Sequence, residues 1–206
     1  MGRRKDQQAR RTELAAAAER ALLSRGLEGL RLRDVADEAG MTPAAVLYYY
    51  DGGLDQLMHE TFQQAIERFC SERERTAEEF EDARDRMRSC ITSGVAIGSD
   101  DRLPRLLFEY WPRSLRDPRA AALDSTLTER QIAVYHSILV LGREQGHFKP
   151  VTPPRVVAAC LVAMEDGFQM EILAGRRTHA EVISALRAYV HAVTGCDLDA
   201  NGPGVG

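Results

Sequence analysis

The chain has 206 residues, of which 44% are apolar and 28% charged, with a net charge of −4. That is the composition of a soluble globular protein, long enough for one large helical domain or a small domain joined to a larger one. Four isolated cysteines without a CxxC pair argue against a zinc site and point to a reduced compartment; no apolar run is long enough to span a bilayer.

The charge is unevenly placed. Residues 1–33 carry nine positive and four negative side chains, and the rest of the chain is strongly acidic. A basic end on an acidic body is an electrostatic footprint for nucleic acid. No signal-peptide pattern precedes the basic start, so the expected location is the cytoplasm, with no membrane partner.

Met1 to Lys5 reads as a basic arm. A first helix is expected from about Asp6 to Arg25, with Leu14, Ala17, Ala18, Ala21 and Leu22 on one apolar face and Gly26 at its end. Leu32 to Asp51, LRDVADEAGMTPAAVLYYYD, then reads as a helix, a tight turn and a second helix. Ala36 is small enough for a close helix crossing. Gly40, four residues on, suits the left-handed turn. Val35, Ala39, Val46 and Leu47 are the apolar positions expected to hold the two helices together. Thr42 is an N-cap and Pro43 fits the first helical position. This spacing is the helix-turn-helix pattern, whose second helix, here Pro43 to Tyr50, enters the major groove of DNA. Two short helices around a glycine also occur in proteins that never touch DNA; the basic flank favours DNA here.

Gly52 and Gly53 break the chain. Leu54, Leu57, Met58, Phe62, Ala65, Ile66 and Phe69 then form a 3.6-period stripe along a long fourth helix. The charge-dense stretch from Glu72 to Arg88 reads as a solvated face. Met87, Ile91, Val95 and Ile97 mark a fifth helix at about 82–98. Leu103 to Arg116 forms a sixth, with Pro112 expected to kink it. A seventh runs from Asp117-Pro118 to about Gln145, an eighth from Pro154 to about Ala174, and a ninth from Thr178 to about Thr194. Cys70, Cys90 and Cys160 fall on helical patterns as expected core. The glycine-rich tail, 195–206, is expected to be disordered. The fold class is therefore all-α with about nine helices. A helix-turn-helix head spans 1–53 and a helical body 54–194.

These residues carry a resemblance. The first helix with Gly26, Asp34-Val35-Ala36 followed by Ala39-Gly40, Leu47-Tyr48-Tyr49 and the Leu57-Met58 pair resemble the head of a TetR-family transcriptional regulator. Phe108-Glu109-Tyr110-Trp111, Leu115-Arg116-Asp117-Pro118, Gly146-His147-Phe148-Lys149-Pro150 and Glu165-Asp166-Gly167-Phe168 resemble a C-terminal type found in the branch that includes choline-responsive regulators. The resemblance covers about residues 6–194. It implies a homodimer whose body binds a small-molecule effector and dimerises. Its heads bind a palindromic operator in double-stranded DNA until the effector releases it. No cofactor is implied.

Carried over residue by residue, Thr42, Pro43, Ala44, Ala45, Tyr48 and Tyr49 form the recognition surface. Alanine reads only a thymine methyl or shape, so Tyr49 is the candidate for the more specific contact. Arg3, Arg4, Lys5, Arg31 and Arg33 are the phosphate or minor-groove candidates. Two positions depart from the family. Leu54 stands where a lysine usually grips a phosphate, and the preceding Asp51 is acidic; Asp51 is also a candidate cap for the fourth helix. Arg31 stands where a Ser or Thr N-cap is usual.

In the body, Phe62, Met87, Ile91, Phe108, Trp111, Met164, Glu165 and Phe168 are the candidate effector positions, read against a plain-core alternative. Glu165 interrupts the apolar run VVAACLVAMEDGFQMEIL, and a buried carboxylate needs a partner. That partner is an effector cation held against Trp111, or an interhelical hydrogen bond or salt bridge. Val157, Leu161, Val182, Leu186, Tyr189 and Val190 are the expected dimer positions, from two helices apolar on more than one face. His59, His136, His147, His179 and His191 are scattered without a catalytic motif, so no enzyme is expected. The alternative is a helical ligand-binding or scaffolding dimer with weakened or lost DNA binding.

Overall fold

The computed structural model describes the backbone of residues 2–149 and 152–199, and side chains from Gln7 onward within those ranges. Among the described residues there are nine helices and no strand: α1 Gly2–Arg25, α2 Leu32–Glu38, α3 Pro43–Tyr49, α4 Gly53–Glu78, α5 Ala83–Gly94, α6 Arg102–Ser114, α7 Pro118–Glu144, α8 Pro154–Leu173 and α9 His179–Thr194. They fall into two compact units. The first takes the chain to Arg68 together with Arg105–Asp124; the second takes Phe69–Pro104 and the chain from Ser125.

In the first unit α1, α2 and α3 pack on one another. Leu14, Ala17, Ala18, Ala21 and Leu22 are fully buried, which is the face that the helical spacing predicts. The helix begins at Gly2 rather than Asp6. Arg, Lys and Gln are good helix formers, and no breaker separates them from the following turns. Gly26, at φ +73°, ends it. The N-cap of α2 is Arg31, whose side chain makes no cap. Asp34, three residues on, accepts the Arg31 N–H at 2.8 Å instead, so the carboxylate half of a capping box does the work alone. α2 ends in paired bonds, Gly40 N–H to Asp37 O and Met41 N–H to Ala36 O, with Gly40 at φ +64°. This is a Schellman stop, and it requires the left-handed residue. α4 buries Leu57, Met58, Phe62, Ala65 and Ile66.

The second unit is built on Met87, Cys90, Ile91, Tyr135, Ile138, Leu139 and Phe148 with the inner faces of α8 and α9. Phe148 closes over Gly142, where a Cβ would lie 2.0 Å from the ring. Three expectations need correction here. α5 stops at Gly94, because Val95 turns extended and carries Ala96 into the core. There Gln169 accepts the Ala96 N–H at 2.7 Å, and His179 Nδ1 lies 2.9 Å from the Ala96 carbonyl. Ile97 beyond them is 81% exposed and belongs to no apolar face. Cys160 is exposed on α8 rather than in the core. The start of the segment expected to be a disordered tail is packed: Cys196 and Leu198 are buried, and Arg88 Nε donates to the Leu198 carbonyl at 2.6 Å. Two apolar side chains are enough to dock it; residues 200–206 lie outside the described ones.

Candidate nucleic-acid interface and effector positions

The surface of α3 follows from which of its residues point inward. Val46 and Tyr50 are fully buried. Thr42, Pro43 and Ala44 are exposed, Ala45 and Tyr49 are half-buried, and Tyr48 is 65% exposed. The Tyr48 and Tyr49 rings meet edge-on, with centroids 5.1 Å apart. Thr42 caps the helix by accepting the Ala45 N–H at 3.2 Å. Leu47 was expected beside Val46 in the contact between α2 and α3, but it is 43% exposed. One step round a 3.6-residue helix from Val46 turns it away from that contact.

The base of α3 is held by residues that the sequence reading did not single out. The Tyr50 hydroxyl donates to the Arg11 carbonyl at 3.3 Å, and the Arg11 guanidinium lies 4.5 Å from the ring centroid. Arg11 also pairs with Glu60, which accepts from Gln56 Nε2 at 3.1 Å. Gln56 Oε1 in turn accepts the Gly52 N–H at 3.1 Å. This chain of contacts ties α1, the end of α3 and the start of α4 together. Burial pushes the Tyr50 hydroxyl above the usual tyrosine range. The signal in the sequence was the third tyrosine of the YYY run, four residues after the buried Val46.

Arg31 and Arg33 are exposed. Arg3, Arg4 and Lys5 lie in the first turns of α1, with side chains outside the described residues. Asp51 is exposed, and its carboxylate accepts the Gly52 N–H at 3.0 Å rather than reaching into α4. Leu54 is half-buried.

The eight candidate effector positions divide between the units. In the first, Phe62 is buried and stacks on Tyr110 at 3.7 Å between centroids. Phe108 meets Trp111 edge-on at 5.3 Å, and Trp111 is 44% exposed. In the second, Met87 and Ile91 are fully buried, and Met164 and Phe168 are half-buried. Glu165, on α8, is 2% exposed and already has a cation: Arg73, from α4, lies 3.1 Å away and is equally buried. Tyr135 of α7 donates to Glu165, Cys90 of α5 accepts from Arg73 at 3.3 Å, and the Arg73 guanidinium lies 5.3 Å from the Tyr135 ring centroid. Burial works against the Arg73 charge, but Glu165, together with Cys90 and Tyr135, offsets it and holds the guanidinium ionised. Burial also pushes the Glu165 carboxyl up, and Arg73 opposes that rise. The geometry is that of the interhelical salt bridge.

Val157, Leu161, Val182, Leu186 and Val190, expected at the dimer interface, are at most 1% exposed within the single chain. They form its own core, because α8 and α9 turn their more branched faces inward. Tyr189 is half-buried.

Residues 14–60 match the family described as bacterial regulatory proteins, tetR family, and residues 83–195 match that of the BetI-type transcriptional repressor, C-terminal. The chain belongs to the TetR family. The fold agrees with solved TetR structures. A TetR regulator from Haloarcula marismortui superposes with a TM-score of 0.82 at 21% identity, covering 91% of this chain and 99% of that one. A transcriptional regulator from Saccharomonospora viridis, in complex with choline, gives 0.81 at 20% identity, covering 89% and 97%. SmeT, the repressor of a Stenotrophomonas maltophilia multidrug efflux pump, gives 0.69 at 20%, covering 96% of each. No curated protein sequence matches the chain. TetR-family regulators are non-enzymatic DNA-binding transcription factors, typically ligand-responsive repressors that act as dimers. Among the described residues no helix is long and apolar enough to cross a membrane.

Proposed function

We propose that this TetR-family regulator is a repressor that binds a palindromic operator as a dimer and leaves it when a small molecule occupies its body. The observation that carries the reading is α3. It is capped by Thr42, anchored by buried Val46 and Tyr50, and leaves Thr42, Ala44 and Tyr48 facing out. A rigid helix with an outward strip of small and aromatic side chains suits major-groove readout. Tyr48 and Tyr49 supply the polar contacts, Ala44 and Ala45 the close approach, and Arg31 and Arg33 the flanking phosphates.

The dimer face is the outer side of α8 and α9. Val156 and Met170 are 49% and 44% exposed, with Cys160 and Ala163 exposed between them on the same side of α8. Ala188 and Ala192 are exposed on α9. A two-fold pairing of this face buries apolar surface that a monomer leaves in water. The effector contacts aromatic positions such as Trp111 and Phe108 rather than a free carboxylate at Glu165, since Arg73 already neutralises that group. Choline, the ligand of the Saccharomonospora viridis regulator, is the first compound to try.

The exposed Asp51 and the apolar Leu54 favour a second reading, a ligand-binding dimer with weakened DNA binding. Fluorescence anisotropy with the DNA upstream of its own gene, at two salt concentrations, separates the two. A repressor binds that duplex more tightly than a scrambled one, weakens steeply with salt, and loses the preference in Tyr48→Ala/Tyr49→Ala. A folded double mutant that binds like the parent overturns the recognition-helix assignment.

A further inference from the structure

Between Met41 and Glu60 the chain has no lysine or arginine, although this stretch contains the whole of α3 and the start of α4. It carries Asp51, Asp55 and Glu60 instead. A surface that meets phosphates needs positive charge, so the α4 side of the recognition helix must draw it from elsewhere in the fold.

The first unit supplies it. The corner between α6 and α7 holds Arg113, Arg116 and Arg119, and two of them reach the first turn of α4. Arg113 pairs with Asp55, and Arg119 Nη2 lies 2.6 Å from the other Asp55 oxygen. Asp117 organises the corner. Its carboxylate accepts the Arg119 N–H at 2.9 Å and lies 3.6 Å from Arg113 Nε. The Arg113 guanidinium also lies 5.6 Å from the ring of Tyr110, which stacks on Phe62 of α4. The corner is thus pinned to α4 through both charge and packing. Asp55 is the third residue of α4, so it sits within about 3 Å along the axis of the helix start. Arg119 is 59% exposed in its side chain, and Arg116 is exposed with no ion pair among the described residues. Three arginines face two aspartates, and the excess positive charge is the exposed part.

We propose that Arg116 and Arg119 are a phosphate-binding extension of the DNA surface, replacing the positive charge that α3 and the start of α4 lack. Arg113 and Arg119 neutralise Asp55, which would otherwise repel the backbone beside the recognition helix. Arg116 and Arg119 take the backbone phosphates. The α6–α7 corner then meets the DNA backbone directly.

The proposal rests on the DNA-binding reading. The test is anisotropy with two 30-base-pair duplexes, one from upstream of the gene and one of random sequence, across a salt series beginning at low salt. Arg116→Ala leaves every described ion pair intact and is expected to lower the slope of log affinity against log salt by about one. Arg116→Ala/Arg119→Ala is expected to lower it by about two and to weaken both duplexes about equally, because phosphates carry no sequence. Asp55→Asn removes a negative charge while sparing the arginines, and is expected to tighten binding to both. Parental slopes in folded Arg116→Ala and in the double variant, or weaker binding by Asp55→Asn, overturn the proposal. A wild-type protein that binds neither duplex overturns the DNA-binding reading and this proposal together. Loss of preference in Tyr48→Ala/Tyr49→Ala with an unchanged slope upholds the first and isolates the second.

Discussion

Arg73 and Glu165 stand 92 residues apart in sequence and 3.1 Å apart in space, each 2% exposed. Four helices contribute to this one cluster: Arg73 from α4, Cys90 from α5, Tyr135 from α7 and Glu165 from α8. Removing one partner strands the other charge, which costs about 3–5 kcal/mol, whereas replacing both by apolar residues of similar size is close to neutral. Arg73→Met is therefore expected to destabilise strongly and Arg73→Met/Glu165→Leu to recover most of the loss, as read by urea denaturation. The single variant also gains a pH dependence. Without Arg73, burial acts on Glu165 against the Tyr135 hydroxyl bond but no longer against a cation, and its folded pKa rises further. The folded state then binds a proton that the unfolded state has released. Stability of Arg73→Met relative to wild type falls as pH rises from the ordinary carboxylate range to the new folded value, so the deficit is larger at neutral pH than at pH 5.

Gly94 is a glycine for steric reasons. A Cβ there would lie 2.1 Å from Glu165 Oε1 and 2.3 Å from Arg73 Nη1, both held in the buried cluster. Alanine improves helix propensity by at most about 1 kcal/mol, while overpacking of this kind costs about 1–3 kcal/mol or more. Gly94→Ala is expected to lower Tm by about 5 °C, measurable by circular dichroism.

Tyr48 and Tyr50 separate recognition from scaffold within one run of three tyrosines. Tyr48→Ala, at a 65% exposed site, is expected to change stability by less than about 0.5 kcal/mol while weakening operator binding. Tyr50→Ala empties a fully buried site and is expected to cost about 3–5 kcal/mol. Tyr50→Phe, which removes only the hydroxyl bond to Arg11, is expected to cost about 1 kcal/mol. Thermal melts alongside DNA titrations distinguish the three.

Asp82 links helix capping to acid stability. It caps α5 by accepting the Arg84 N–H at 2.8 Å, and the Arg84 guanidinium beside it lowers its pKa to about 2. A depressed carboxylate contributes stability that is present above its unfolded pKa and disappears as pH falls through the folded one. The window is therefore from about pH 4 down to about pH 2. Asp82→Asn keeps a capping oxygen and is expected to flatten this part of the acid unfolding curve. Asp82→Ala loses the cap as well, at about 1 kcal/mol, across the whole pH range.

The sequence by itself determined what local physics can write. Helix starts, stops and apolar faces are set by residues three or four apart, so Gly26, Gly40 and Thr42 marked the head, and the stripe from Leu57 to Ile66 marked α4. The same short-range signals carried the family resemblance. Only the tertiary structure decided which of two apolar faces goes inside. α8 and α9 are apolar on more than one face, so periodicity alone does not tell Val157, Leu161 and Leu186, which form the core, from Val156, Cys160 and Ala192, which do not. It likewise decided the partner of Glu165, the role of Tyr50, the burial of Val95 and Ala96 beyond α5 and the docking of Leu198. Each depends on a side chain tens of residues away, and no rule of helical spacing reaches that far.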